Sequence, residues 1–311
     1  MIQNPPGRHH FVPVFYTKQW AFSDGRICEY SRPRPRHDVI KPRRTHPAGT
    51  GWVDRLYELR GLSGPDAQAV EQLFMKPVDD AAAVVMRAFC SGRRVAFSTR
   101  EMRAWARFMM SLMHRHPDDL EAFKEHFARG WRIVTPEMER DYRRRRRAHW
   151  PRDLQTYMDS VPDDQVERIG MSILVEMMNS EPINDHIVGM RWGALLYPNF
   201  RREVLTSDRP LVMTDGLAYP ESLILMPIGP RAVFYAVNTP AMVQRLSSQD
   251  HNTFIEKLNE RVVGQASRYV YAGSDAHLAF VQRHMSRTRP RPLVDQIAAG
   301  RALRERMSRS R

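Results

Sequence analysis

The sequence lacks the long apolar runs and the grouped cysteines that define several classes of protein. Its most apolar stretch, residues 171–178, is less than half as long as a membrane-spanning helix. The N-terminus has no basic segment followed by an apolar one, so no secretory signal is predicted. Cys28 and Cys90 are too few for a disulfide framework and form no Cys-x-x-Cys pair. We therefore expect a protein of the cytoplasm.

The signature motifs of four enzyme classes are missing as well. The chain contains no P-loop, no Gly-rich dinucleotide loop, no Gly-x-Ser-x-Gly and no His-Glu-x-x-His. These absences argue against an ATPase, a Rossmann dehydrogenase, a serine hydrolase and a zinc protease of the familiar kinds.

Lysine is scarce, occurring only at positions 18, 41, 76, 124 and 257, and nearly all cations are arginine. Lys and Arg together number 48 against 35 Asp and Glu, which gives a formal net charge of +13. The planar guanidinium suits phosphate better than an ammonium group does, and a charge of this size favours nucleic acid or acidic membrane surfaces. A GC-rich coding sequence, which exchanges Lys codons for Arg codons, is the alternative explanation.

The pattern of apolar residues changes along the chain and predicts an α+β fold. Helical signals dominate residues 66–197, among them the cap Thr135 followed by Pro136 and Glu137. Residues 200–240 consist of short apolar runs separated by turn sequences, which is typical of antiparallel strands. We expect a helix-rich middle with a small, mainly antiparallel sheet built largely from the C-terminal third plus N-terminal strands.

Some segments carry more specific predictions. Residues 11–20, rich in aromatic and β-branched side chains, are expected to be extended or irregular. Pro77 is expected to break a helix that begins at Asp66. The helical block is expected to end with a helix over residues 184–196. We expect one domain over residues 1–288, then an Arg-rich helix or frayed tail over residues 289–311.

Two groups of arginines are candidates for phosphate contacts. In the helix predicted over residues 101–116, Arg103, Arg107 and His114 share the face opposite the apolar stripe, with Arg115 at its edge. A run of five follows at the end of the helix that starts at Thr135: Arg143, Arg144, Arg145, Arg146 and Arg147. Cations there complement the helix dipole, but five in a row also repel one another unless a polyanion neutralises them. A solvated helix face and a solvated helix end are the structural alternatives.

Two further positions are candidates for acid–base chemistry. His9 and His10 are adjacent in a predicted strand, so they point to opposite faces and at most one lines a given pocket. Asp208 follows a predicted strand directly, where sheets often present catalytic carboxylates. An Asp placed two residues before proline is also ordinary turn chemistry.

Short motifs that match one family are spread along most of the chain, and only Ile228 and Gly229 differ from the family's residues at their positions. They are His9-His10-Phe11-Val12-Pro13-Val14-Phe15-Tyr16 leading to Trp20, Leu56-Tyr57-Glu58, Val70-Glu71, Phe108 through Arg115-His116-Pro117, Thr206-Ser207-Asp208-Arg209-Pro210, Met226-Pro227-Ile228-Gly229-Pro230, Asn259 and Tyr269-Val270-Tyr271. Together they resemble the landmarks of domain-of-unknown-function family 4238. The resemblance implies one domain and implies no activity, because the family has none assigned.

We therefore expect a nucleic-acid-binding protein. The most specific form of this hypothesis is a nuclease-like phosphodiester hydrolase. The predicted catalytic residues are His10, His114, Arg115 and Asp208, with imidazole as acid or base and arginine on the phosphate charge. Glu71 would join Asp208 as a ligand if a divalent metal is used. The alternative is a non-enzymatic basic module that binds nucleic acid or a protein partner. Convergence of His10, Arg115 and Asp208 in one pocket favours the enzyme, and wide separation favours the module.

Overall fold

The structure is a computed structural model, and it describes residues 7–32, 39–91, 96–198, 202–214, 216–288, 291–292 and 294–295. Over these residues the fold is α+β, as predicted, with a helix-rich middle and small antiparallel sheets. None of the helices in the described ranges is long and apolar enough to cross a membrane. The Arg-rich segment predicted over residues 289–311 lies almost entirely outside the described residues.

The strands are short and all pair antiparallel. In chain order they are β1 (Arg8–His10), β2 (Ile27–Ser31), β3 (Lys41–Thr45), β4 (Trp52–Asp54), β5 (Arg191–Leu196), β6 (Thr206–Ser207), β7 (Val212–Met213), β8 (Leu223–Gly229), β9 (Ala232–Val237) and β10 (Tyr269–Ala272). One four-stranded sheet has the order β3-β2-β10-β6 and a second has the order β5-β9-β8-β7, while β1 pairs with β4. The first sheet thus joins N-terminal and C-terminal strands, in agreement with the sequence pattern.

The helix predicted to start after Thr135 does so, whereas the one predicted to begin at Asp66 begins at Gly64. Thr135 accepts a hydrogen bond from the Met138 N–H at 3.2 Å, with Pro136 in the first turn. In chain order the α-helices are α1 (Val14–Thr17), α2 (Gly64–Ala67), α3 (Lys76–Cys90), α4 (Thr99–His114), α5 (Pro117–Trp131), α6 (Pro136–Arg145), α7 (Leu154–Ser160), α8 (Asp163–Met178), α9 (Glu181–Gly189), α10 (Pro240–Ser247), α11 (His251–Gly264) and α12 (Leu278–His284).

The second sheet lies between two helical layers, because successive side chains of a strand point to opposite faces. Phe234 of β9 faces α3 and α4, and its ring centroid lies 5.6 Å from that of Trp105 and 5.3 Å from that of Phe89. Its neighbour Val233 faces the other way and packs with Leu258 of α11. The core is therefore continuous from the helical block into this sheet and is closed on the far side by α10 and α11.

Residues 14–20 are helical rather than extended or irregular, so the prediction for this segment is wrong beyond residue 13. They form α1 and a 3₁₀ helix (Lys18–Trp20). Tyr16 and Trp20 are spaced as on one face of a helix, and both are buried. Their polar atoms form hydrogen bonds with residues in the second half of the chain. The Tyr16 hydroxyl lies 2.6 Å from Oγ1 of Thr206, and the Trp20 indole donates to the Val204 carbonyl at 2.7 Å.

Pro77 does not end a helix, contrary to expectation. A π-helix (Val70–Met75) runs directly into α3, and Pro77 lies in the first turn of α3. The π-helix is wound more widely than an α-helix, so the chain stays helical across a residue that lacks a backbone N–H.

The helix predicted over residues 184–196 is also wrong in its second half. The helix α9 ends at Gly189, and β5 follows it and pairs along its whole length with β9. Cross-strand pairing decides the conformation of this apolar segment, which helix periodicity alone does not distinguish from a strand.

Candidate functional site

The two adjacent histidines of β1 point to opposite sides, and His9 faces the interior. Its Nδ1 accepts a hydrogen bond from the Tyr57 N–H at 3.0 Å, so Nε2 carries the proton and donates to Oε1 of Gln68 at 2.6 Å. The imidazole stacks on the ring of Tyr57, with centroids 5.6 Å apart. Burial lowers the pKa of His9, which agrees with a neutral ring held by two partners.

His10, the histidine predicted to be catalytic, lies on the other side of β1. Its Nε2 is 3.4 Å from the carbonyl oxygen of Ala48, and burial lowers its pKa as well. No hydrogen bond within the described ranges joins His10 to Arg115 or Asp208. The strand alternation indicated that only one histidine faces inward, but it did not indicate which one.

Arg115 is fully buried and forms the centre of what we call the Arg115 network: Arg115, Asp79, Ser111 and Glu71. Its two terminal nitrogens each lie 3.0 Å from Oδ1 of Asp79, and one also donates to Oγ of Ser111 at 2.7 Å. The Tyr57 hydroxyl donates to the Arg115 carbonyl at 2.9 Å, which links this network to His9. Arginine satisfies a buried carboxylate through its planar fork, so this pair fixes α3 against the end of α4.

Glu71, on the π-helix, completes the Arg115 network without a hydrogen bond to it. Oε2 of Glu71 and Nε of Arg115 are both buried and have no hydrogen-bond partner among the described residues. Burial raises the pKa of Glu71 to about 7, although the charge of Arg115 opposes the rise. One carboxyl group of this cluster therefore changes charge near neutral pH.

Asp208 is the centre of a second cluster, the Asp208 network: Asp208, His116, Arg209 and Asp119. The Asp208 carboxylate accepts hydrogen bonds from the backbone N–H groups of Ser267, Arg268 and Tyr269 at 2.9, 2.6 and 3.1 Å. Nε2 of His116 lies 3.4 Å from its Oδ2. Asp208 thus accepts the backbone N–H groups of the turn that leads into β10, which is a common structural role for an aspartate at the end of a strand.

His116 and Arg209 connect the Asp208 network to the start of α5. The guanidinium of Arg209 lies 2.6 Å from Oδ2 of Asp119 and 3.2 Å from Nδ1 of His116, and its Nε donates to Oγ of Ser267 at 2.9 Å. The His116 Nδ1 also accepts the Asp118 N–H at 3.2 Å, as the cap of α5. Sequence reasoning missed His116 and Arg209, although His116-Pro117-Asp118-Asp119 has the composition of a helix start.

Phe11 brings the N-terminal motif to the same place. Its ring meets the His116 ring edge-on with centroids 5.1 Å apart, and the Arg268 guanidinium lies 5.9 Å from its centroid. The motif residues therefore do converge, but through His9, Phe11 and His116 rather than through His10. The two networks meet at residues 115 and 116, whose side chains have separate partners.

The two carboxylates predicted as metal ligands do not share a site. Glu71 belongs to the Arg115 network and Asp208 to the Asp208 network, where backbone N–H groups occupy its oxygens. Among the described residues, no three His, Cys, Asp or Glu side chains are grouped so that they can hold a metal ion. A metal held by Glu71 and Asp208 therefore stays a prediction from the sequence.

His114 does not belong to the exposed face of α4 where the helical wheel put it. Arg103 and Arg107 are exposed, and Arg103 lies 2.9 Å from Oδ1 of Asp185, whereas His114 is buried. The reason is that α4 packs against α3, α5, α8 and α9, so the end of the helix is covered on several sides. Burial lowers the pKa of His114 to about 4, which keeps the ring uncharged at neutral pH.

The run of five arginines lies on a structure that we call the Arg hairpin, made of α6, α7 and the connecting residues 146–153. Its interior is aromatic: the rings of Tyr142, Trp150 and Tyr157 lie with centroids 5.9–6.0 Å from one another. Oε2 of Glu139 accepts the Leu154 N–H at 2.9 Å and ties the two helices together. The hairpin therefore packs chiefly on itself and presents its arginines to solvent.

Replacing Glu71 with glutamine is expected to change the pH dependence of stability. The folded protein holds a proton on Glu71 between its ordinary pKa of 4.5 and about 7, where the unfolded chain has released it. Stability from this proton is present below pH 4.5 and lost as pH rises through 7, by roughly 3 kcal/mol in total. Urea unfolding of both proteins from pH 4.5 to 7.5 should show that difference between their free energies of unfolding.

His114 changes the pH dependence of stability in the opposite direction over nearly the same pH range. Its folded pKa of about 4 is below its ordinary 6.5, so its contribution appears as pH rises from 4 to 6.5. The Glu71→Gln curve is therefore expected to rise more steeply with pH than the wild-type curve. Glu176→Gln, an exposed change of the same type on α8, serves as control. Parallel curves for wild type and Glu71→Gln would contradict the raised pKa.

Comparison with known proteins identifies the family and gives no function. No curated protein and no protein of solved structure matches the chain. The sequence pattern of one family, described as "Protein of unknown function (DUF4238)", matches residues 8–276 and includes β1, both polar networks and β10. The chain belongs to this family, DUF4238.

Proposed function

We propose that this protein binds nucleic acid through the Arg hairpin, as a non-enzymatic module. The carrying observation is the exposure of consecutive arginines on a self-supporting element. The side chains of Arg143, Arg144 and Arg145 are 68%, 76% and 77% exposed. The phosphates of a nucleic acid backbone bind such a surface with the release of condensed counterions.

The arginines of the hairpin outnumber its carboxylates by seven to five over residues 136–160, and they are concentrated in one part of it. Residues 140–152 contain one acid, Asp141, against seven arginines at positions 140, 143, 144, 145, 146, 147 and 152. Arg144 and Arg145 share Asp141, at 2.8 and 3.1 Å. Exposed pairs of this kind contribute only ~0–1 kcal/mol, so phosphate competes well for the same guanidinium groups.

Arg146 and Arg147 strengthen the case because they have no carboxylate partner among the described residues. Arg146 donates to the Trp150 carbonyl at 3.3 Å, and the Arg147 guanidinium lies 5.7 Å from the centroid of the Trp150 ring. These contacts orient the two side chains and leave their charge uncompensated. A bound polyanion relieves the repulsion between them.

The four predicted catalytic residues support the module over the hydrolase. Arg115 and Asp208 belong to separate buried networks, while His10 contacts a backbone carbonyl and His114 is buried. Groups that cooperate in one reaction have to reach one substrate, and these groups have other partners. Hydrolysis remains a prediction from the sequence, to be checked by incubating labelled RNA and DNA with the protein and Mg²⁺.

Replacing Arg144, Arg145 and Arg146 with glutamine is expected to weaken binding of random-sequence RNA and DNA at least ~10-fold at low salt. The slope of log affinity against log salt concentration should fall by roughly 2–3, one for each lost phosphate contact. Thermal stability should change little, because glutamine keeps helix propensity nearly constant. Filter binding or fluorescence anisotropy at several salt concentrations measures both quantities.

The matched control removes three exposed arginines from other helices: Arg87→Gln, Arg245→Gln and Arg261→Gln. The net charge change is the same, so an effect of total charge would appear equally in both variants. Equal loss in the two variants, or an affinity that does not depend on salt, would rule out the hairpin as the binding element. Arg103→Gln with Arg107→Gln tests the other predicted phosphate face in the same assay.

A further inference from the structure

A groove between α5 and α8 combines an acidic lining with an aromatic wall in this basic molecule. Its volume is about 570 Å³, which suits a small organic ligand. One wall comes from the second half of α5, and the other from the end of α7 and the first half of α8. It therefore lies at the base of the Arg hairpin.

The wall contributed by α5 is aromatic. The rings of Phe127 and Trp131 have centroids 6.0 Å apart, and the Trp131 indole donates to the Met158 carbonyl at 3.3 Å. Gly170 of α8 faces Phe127 so closely that a Cβ there would lie 2.8 Å from the Phe127 ring. These contacts hold the aromatic wall in place before any ligand arrives.

The charged groups that line the groove are mostly acidic. Three cations are opposed by five carboxylates, so the lining carries a net charge of −2 in a chain of +13; the acids are Glu125, Asp159, Asp163, Asp164 and Glu167. The cations are already engaged: Lys124 and Arg60 pair with Glu167 at 2.7 and 3.3 Å, and Arg132 pairs with Asp163 at 3.1 Å.

Asp159 and Glu125 are the lining carboxylates whose negative charge is least neutralised by a nearby cation. Asp159 accepts a hydrogen bond from Gln155 at 3.0 Å and makes no ion pair with any residue in the described ranges. Glu125 has one distant partner, Arg129, at 3.7 Å. A second groove of about 620 Å³ on the other side of Lys124 and Glu125 is also acidic, but its described lining contains no aromatic residue.

We propose that the groove between α5 and α8 binds a small aliphatic dication, such as a diamine. An ammonium group is attracted both to a carboxylate and to the face of an indole ring, and the apolar chain between two ammonium groups packs on Phe127 and Val166. Two positive charges match the net charge of the lining. Phosphate-bearing ligands are repelled here, so this site is independent of the Arg hairpin surface.

Isothermal titration of the full chain with cadaverine tests the proposal. We expect saturable binding with a stoichiometry near one, clearly weaker binding of pentylamine, and none of the uncharged 1,5-pentanediol. The double variant Asp159→Asn with Glu125→Gln should bind cadaverine at least ~3-fold more weakly, since two exposed ion contacts are lost and each contributes modestly. Trp131→Phe should weaken binding as well, with circular dichroism unchanged.

Glu176→Gln with Glu260→Gln is the charge-matched control, because both side chains are exposed and neither lines the groove. It should bind cadaverine as wild type does. The proposal is overturned by the absence of saturable binding at millimolar cadaverine, by equal binding of the diol, or by equal losses in both double variants. None of these results depends on whether the Arg hairpin binds nucleic acid.

Discussion

Replacing Asp208 with alanine is expected to lower the free energy of unfolding by about 3–5 kcal/mol, because the substitution leaves three backbone N–H groups without their acceptor. The donors are those of Ser267, Arg268 and Tyr269, at the entry into β10. His116 loses its contact with the carboxylate at the same time. Each stranded buried donor costs roughly 1–3 kcal/mol, less when neighbouring groups relax together. Urea unfolding at pH 7 measures the loss.

Asp208→Asn is the sharper version of the experiment, because it keeps the shape of the side chain. One oxygen remains, but an amide –NH₂ now faces backbone donors, so an intermediate loss of stability is expected. Asp275→Ala, an exposed aspartate just beyond β10, should unfold as wild type does. If Asp208→Asn is as stable as wild type and changes only the cleavage or binding of nucleic acid, the carboxylate is functional, as the sequence predicted.

Local sequence patterns predicted which polar residues are important at the site but not which residues they contact. Asp208, Arg115 and Glu71 were singled out from local patterns, and all three are at least partly buried in polar networks. Their partners were not: Asp79 is 36 residues from Arg115, and His116 is 92 residues from Asp208. A carboxylate at the end of a strand has the same local sequence whether it awaits a substrate or accepts backbone N–H groups.

The fold shows the same division between local and distant information. The cap at Thr135 predicted the start of α6, and the short apolar runs of residues 200–240 predicted the strands there, because each signal depends on residues within one or two turns. The segment of β5 was predicted helical, since its strand form depends on pairing with β9 about 40 residues later. Residues 11–20 were expected to be extended or irregular because the partners of Tyr16 and Trp20, near residue 205, are not visible locally.

Arg115→Met is expected to cost about 3–5 kcal/mol, because it leaves the Asp79 carboxylate in the interior without its counter-charge. Burial raises the pKa of Asp79, and the charge of Arg115 opposes this rise. In the variant the pKa of Asp79 should therefore be higher than in the wild type. Arg115→Lys keeps the charge but loses the fork that spans Asp79 and Ser111, and we expect an intermediate loss. Thermal and urea unfolding rank the three proteins.

The double variant Arg115→Met with Asp79→Leu decides what the pair contributes. A buried ion pair often adds little over apolar residues of similar volume, whereas removing one partner is costly. The double variant should therefore recover most of the stability that Arg115→Met loses. Recovery of stability with unchanged nucleic acid binding would assign Arg115 to the scaffold. A double variant that is stable yet has lost binding would instead assign Arg115 the functional role that the sequence predicted.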